Sequence, residues 1–140
     1  MKKIIKSIIV VFVICLFGHV DAYSQWFFSD PTEEQGLEIE HRWRRSKLFD
    51  KSSDAILILK IKNTLEHPVK ATISVGFYKD QMLVFSSEEQ EVCIAPGKTK
   101  RGGRADLRFI AEEITRADTK EENFSWDFAE IDISRVESCD

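Results

Sequence analysis

His41, His67, Cys93 and Cys139 are the residues beyond position 24 on which nucleophilic, redox or metal chemistry would have to rest. Nucleophilic catalysis needs a nucleophile, a base and a group that orients the base. His41 falls in phase with Leu37, Ile39 and Trp43, which is the pattern of a packed or edge histidine rather than a base. His67 precedes Pro68 in a turn and is expected in solvent. No glycine-flanked serine accompanies either histidine. No His-x-His, Cys-x-x-Cys or acidic calcium-loop spacing is present, so no metal site is expected. A carboxylate pair for glycoside hydrolysis stays open, since any two acids can meet in space, but the acids from Glu112 to Asp140 are spread along the chain. The expectation is a protein with no catalytic residues, no metal and no cofactor.

Charge segregation is the feature that rises above background. Arg42-Trp43-Arg44-Arg45-Ser46-Lys47 is one basic run and Lys98 to Arg104 is another, whereas residues 106–140 hold 11 acidic and 4 basic side chains. Brought together, Arg42, Arg44, Arg45, Lys98, Lys100, Arg101 and Arg104 would form a patch with Trp43 as a stacking group. Such a patch suits an acidic partner, an anionic glycan or lipid headgroups. The alternative is a solvated strand face on which Arg42 and Arg44 pair with acids across it, while the loop stays wet. Loops of a sandwich cluster at its ends. The runs therefore converge only if Arg44-Arg45 closes its strand at the Pro96-Gly97 end.

The elements that must position these residues begin with a segment expected to be removed. Met1-Lys2-Lys3, ten apolar residues from Ile8 to Phe17, and Ala22-Tyr23-Ser24 make the charged, apolar and small-x-small regions of a secretory signal peptide. The apolar run is too short to cross a bilayer, which takes roughly 20 residues. Cleavage is expected between Ser24 and Gln25, and the residues around the cut resemble bacterial export signals. An uncleaved anchor is the alternative, against which Lys6 interrupts the longer apolar stretch. Cys15 follows bulky Ile14, where lipoprotein signals carry a small residue.

Removing Lys2, Lys3, Lys6 and Asp21 leaves 17 basic and 23 acidic residues, a net charge of −6. That balance favours solubility and disfavours nucleic acid as a partner. Cys93 and Cys139 then remain, and an even count in an oxidising compartment reads as a disulfide, with two unpaired thiols as the alternative. The bond would close about 47 residues and stabilise the fold by roughly 4 kcal/mol in the chain-entropy model. It would also tie down a terminus expected to fray.

The domain boundaries expected are 1–24 for the signal peptide, 25–35 for a lead-in that is either a short helix opened by Asp30-Pro31 or an extended segment, and 36–140 for one domain. From Gly36 the hydrophobic period becomes two. Strands are expected at Leu37–Arg44, Ala55–Lys62, Val69–Tyr78, Met82–Phe85, Glu91–Ala95 and Ala105–Phe109, separated by turn residues. The outward face of the second strand, Ile56, Ile58, Lys60, Lys62, should begin buried and end wet. Residues 111–123 suit a surface helix or a loop with a helical turn. In the last segment, Phe124, Trp126 and Phe128 slip phase to Ile131 and Ile133, which demands a bulge or bend near Ala129, or two strands in different sheets. Seven or eight short strands in all point to an all-β fold, an antiparallel immunoglobulin-like β-sandwich.

Lys62-Asn63-Thr64, His67-Pro68-Val69-Lys70-Ala71, Ser74-Val75-Gly76-Phe77-Tyr78-Lys79-Asp80 and Ala95-Pro96-Gly97-Lys98-Thr99 together resemble an FxLYD-type domain. These are small immunoglobulin-like modules of secreted and membrane-attached bacterial proteins. The resemblance spans about residues 61–100. The chain departs from it by inserting Lys79 into the Phe-Tyr-Asp run and by its Cys93–Cys139 pair. What the resemblance implies is a fold and a non-catalytic role, with no binding residues to carry over. The expected function is that of an exported binding or accessory module acting through a protein partner in the periplasm or outside the cell. The rival is a binder of anionic glycan or lipid headgroups.

Overall fold

A computed structural model describes residues 28–103 and 106–140. The expected signal peptide, residues 25–27 and Arg104 lie outside the described residues. The strands are β1 (Thr32–Glu34), β2 (Leu37–Arg45), β3 (Asp54–Asn63), β4 (Val69–Lys79), β5 (Met82–Ser86), β6 (Gln90–Ile94), β7 (Thr99–Arg101), β8 (Arg108–Thr115) and β9 (Phe124–Arg135). Every pairing is antiparallel. In one sheet β3 has β2 and then β1 on one side, with β7 and β8 in tandem on the other. In the second sheet β9 runs the whole length of β4, so β5 and β6 share the opposite edge.

Alternation builds the apolar layer between the sheets. Leu57, Leu59 and Ile61 of β3 meet Ala71, Ile73, Val75 and Phe77 of β4, and Leu37, Ile39, Val92, Ile94, Phe109 and Ala111 close the cluster. The outward face of β3 behaves as its sequence implies. Ile56 and Ile58 are buried outside the inter-sheet cluster, whereas Lys60 and Lys62 reach solvent. In β9 the pairing steps from Ser74↔Glu130 to Val75↔Phe128, so Ala129 is the extra residue of a bulge. That single bulge lets Phe124, Trp126 and Phe128 share the inner face with Ile131 and Ile133.

One open alternative is resolved and one expectation changes. The lead-in takes its extended form at Thr32–Glu34, paired with Ile39–Leu37 through the Gln35-Gly36 turn. Both turn residues have positive φ, 49° and 83°, which matches the twist of a two-residue hairpin. The 111–123 stretch is mostly strand: β8 runs to Thr115, and the helical turn is confined to Asp118–Lys120. The pairing jumps from Ala55↔Ala111 to Asp54↔Thr115, with Glu113 at φ 62° between them. Ala111 and Ile114 are both buried as a result, and the strict alternation that marks a strand in sequence is lost.

Asn63 ends β3 and is fully buried. Its amide nitrogen donates to His67 O at 2.9 Å and to Ile94 O at 3.0 Å, and its side-chain oxygen accepts the Leu65 N–H at 2.9 Å. The backbone N–H of Asn63 reaches Lys98 O, and Gly97 N–H reaches Asn63 O, both at 3.0 Å. One carboxamide thus shapes the β3–β4 crossover and joins it to the end of β6. Across the second sheet, Cys93 and Cys139 form the expected disulfide, with Cα atoms 5.5 Å apart. β6 and the chain following β9 lie on opposite sides of β4, so the bond ties both flanks across it. Val136 N–H adds a hydrogen bond to Pro68 O at 3.1 Å.

Asn63→Ala should destabilise the fold by about 2 kcal/mol, because it strands the buried Ile94 carbonyl and the half-buried Leu65 N–H and His67 carbonyl. Asn63→Asp should cost at least as much at neutral pH, since a carboxylate cannot donate to either carbonyl. Urea unfolding midpoints for the two variants test both statements. In the same assay, replacing Cys93 and Cys139 together with Ser should lower stability by up to about 4 kcal/mol.

Candidate functional site

The outward side chains of β2 change sign halfway along the strand: Glu38 and Glu40, then Arg42 and Arg44. Register decides what each one faces. Glu38 and Glu40 lie opposite Lys62 and Lys60, whereas Arg42 and Arg44 lie opposite Ile58 and Ile56. The Lys60–Glu40 and Lys62–Glu38 ion pairs close at 2.8 and 3.3 Å. The acids of this face are therefore taken by lysines, and Arg42 and Arg44 stand opposite apolar residues. β7 brings Arg101 beside Lys60, and β8 brings Arg108 beside Ile58.

Arg42, Arg44, Arg45, Arg101 and Arg116 line one cavity of about 340 Å³, with Leu48 and Trp43 completing its wall. A neighbouring cavity of about 370 Å³ shares Arg44, Arg45 and Leu48 and adds Arg108 above Ile56 and Ile58. Among the described residues, no carboxylate lies within ion-pairing distance of Arg44, Arg45, Arg101 or Arg116. Burial, then Arg101 and then Arg44 hold the Arg42 guanidinium below its ordinary pKa. Burial and then Arg45 do the same to Arg116. Arginine stays charged regardless, so these shifts report burial first and crowding of positive charge second, and an anion would relieve the crowding.

Local structure holds Arg116 in place. Arg116 donates to Thr119 Oγ1 at 3.0 Å, and that hydroxyl donates back to Arg116 O. The turn beneath it is fixed by Asp118, which accepts the Thr115 N–H and hydroxyl, both at 2.7 Å. Those bonds hold the Asp118 carboxyl below the usual carboxylate range. Phe28 lies on the same sheet face. Its ring centroid is 4.8 Å from the Arg42 guanidinium, 4.9 Å from that of Arg101 and 5.7 Å from Lys60 Nζ. Three cations lie around this one ring, and cation–π attraction to it offsets part of their mutual repulsion.

The next residue pins the lead-in to β2. Ser29 N–H donates to His41 O at 2.7 Å, and Ser29 Oγ accepts the His41 backbone N–H at 3.0 Å. The same hydroxyl lies 3.0 Å from His41 Nδ1, and the imidazole packs edge-on against Trp126 at 5.1 Å. A serine beside a histidine invites a catalytic reading. Here the hydroxyl is already engaged by the backbone of that same histidine, and the pair acts as a clasp. His67 lies in the β3–β4 turn, its Nδ1 3.4 Å from Pro68 O.

Of the residues singled out in the sequence, Arg42, Arg44, Arg45 and Arg101 come together. Trp43 lines the same cavity while its ring packs on the core against Phe77 and Phe124 at 5.8 and 5.7 Å. Lys98 and Lys100 sit by Asn63 and Ile61, at the opposite end of β3 from Ala55, where Arg45 pairs. The expected condition for convergence is not met, because the Pro96-Gly97 turn and Arg44-Arg45 occupy opposite ends. Convergence happens on the sheet face instead, since β7 carries Arg101 to mid-strand. Sequence reasoning missed Arg116, which is embedded in an acidic stretch, and Phe28, which gave no sign of facing cations.

Burial pushes His41 below its ordinary pKa of 6.5. Below pH 6.5 the unfolded chain takes up a proton that the native chain refuses, so stability should fall as the pH drops through 6.5 towards the lowered folded value. Urea midpoints between pH 7.5 and 5.5 should fall for the natural chain and flatten for His41→Gln.

No family model, curated protein or solved structure matches this chain. The arginine-lined face is the feature from which a function can be read.

Proposed function

We propose that this chain is an exported, non-catalytic binding module that captures phosphate- or carboxylate-bearing groups on the arginine-lined face of its first sheet. The observation that carries this reading is the cavity itself, five arginines around about 340 Å³ with no acid in its lining. Arginine's planar fork suits bidentate recognition of such anions. The Cys93–Cys139 bond fits an oxidising compartment, in keeping with a signal peptide cut at Ser24–Gln25. Among the described residues no helix is long and apolar enough to cross a membrane. The two-sheet fold is compatible with the resemblance to immunoglobulin-like modules of the FxLYD kind, which implies a non-catalytic role. A protein partner is the second reading, favoured by the exposed Met82, Leu83 and Val84 on the edge strand β5.

Heparin serves as a soluble polyanion probe. Binding should weaken as salt rises, because screening shortens the reach of the cations. Replacing Arg44, Arg45 and Arg116 with Gln should weaken binding several-fold and flatten the salt dependence. Lys98→Gln with Lys100→Gln should leave it nearly unchanged. Stability should move by no more than about 0.5 kcal/mol for these surface changes. Equal losses from the arginine and lysine sets would reduce the effect to general charge and remove the site.

A further inference from the structure

The loop between β2 and β3 ends in Leu48 and Phe49, which are 64% and 94% exposed. Nothing about this loop is slack. Ser53, buried beneath it, accepts the Lys47 N–H at 3.2 Å and places its hydroxyl 2.8 Å from Asp50 O. Asp50 accepts the Ser52 N–H and hydroxyl at 2.9 and 2.6 Å. Backbone bonds from Asp50 N to Lys47 O and from Ser46 N to Asp54 O close the turn and its base. The fold thus holds two bulky apolar side chains rigidly in water at its extreme end.

Their surroundings name the occupant. Arg44, Arg45, Lys47 and Lys51 flank the tip in sequence, and Arg116 follows Thr115, which pairs with Asp54 at the loop's base. The tip's own acid, Asp50, is engaged by Ser52. Ile110, 46% exposed, stands in register with Ile56 on the same sheet face. An apolar prong ringed by cations is the arrangement by which a peripheral protein enters an anionic bilayer. Apolar groups reach the acyl boundary while arginine and lysine stay at the phosphates.

We propose that the β2–β3 loop is a membrane-docking tip: Leu48 and Phe49 insert into an anionic bilayer, and the arginine face meets its lipid phosphates. This rests on the anion-binding reading above and names its ligand.

The experiment is co-sedimentation of the exported protein with vesicles of phosphatidylcholine alone or with one third phosphatidylglycerol, alongside heparin binding. The natural chain should bind the anionic vesicles and not the zwitterionic ones. Phe49→Ser should weaken vesicle binding about tenfold, because its apolar side chain no longer leaves water, and should leave heparin binding and the urea midpoint unchanged. Arg44→Gln with Arg45→Gln should weaken both, by about fivefold per charge at the membrane. Vesicle binding untouched by the Phe49 change overturns insertion. Heparin binding without vesicle binding overturns the bilayer and leaves the anion site standing, and failure of both removes both. A dimer that the Phe49 change dissolves would assign the tip to a second copy of the chain instead.

Discussion

One buried carboxamide holds the crossing between the two sheets. β3 and β4 are consecutive in sequence, yet each is the central strand of its own sheet, so the five residues between Asn63 and Val69 must carry the chain from one layer to the other. Asn63 satisfies the polar groups that this passage would leave unpaired at the edge of the core. No apolar residue of similar size can do this, because a buried backbone group without a partner costs more than packing returns. Once the crossing is set, β2 and β9 can pair along β3 and β4 with their full lengths in register.

That register is also what separates lysine from arginine on the first sheet. Lys60 and Lys62 fall opposite the two glutamates of β2, and the arginines fall opposite isoleucines. A shift of two residues would keep every side chain on its face and yet place Arg42 beside Lys60 or Ile56, rearranging the ion pairs. The positive face is therefore a product of pairing more than of composition. This is why a chain of net charge −4 can present a cavity lined by arginines.

Much of this was legible from periodicity. Strict alternation located β2, β3 and β4, and the phase slip after Phe128 called for a bulge or bend near Ala129 or for two strands in different sheets, of which the structure shows the bulge. β8 was not legible beyond Phe109, and it starts at Arg108 rather than Ala105. Its extra residues between Ala111 and Thr115 erase the period on which such reading depends. The site was half legible for a related reason. Arg42, Arg44 and Arg45 advertise themselves as a run, and Arg101 belongs to another. Arg116 is isolated among acids and reaches the same cavity only through the pairing of β8 with β3, a contact across 60 residues of sequence that no local pattern encodes.

The Ala129 bulge belongs with a property shared by the sheet margins. β1 covers only the first three residues of β2, and β5 and β6 split one margin of β4 into two short pieces. β7 and β8 split the margin of β3 in the same way, and the long free margin of β9 is kinked at Ala129. Among the described residues, a second chain seeking to extend either sheet meets margins that are short, shared or kinked. Interrupted margins of this kind oppose runaway strand addition between copies.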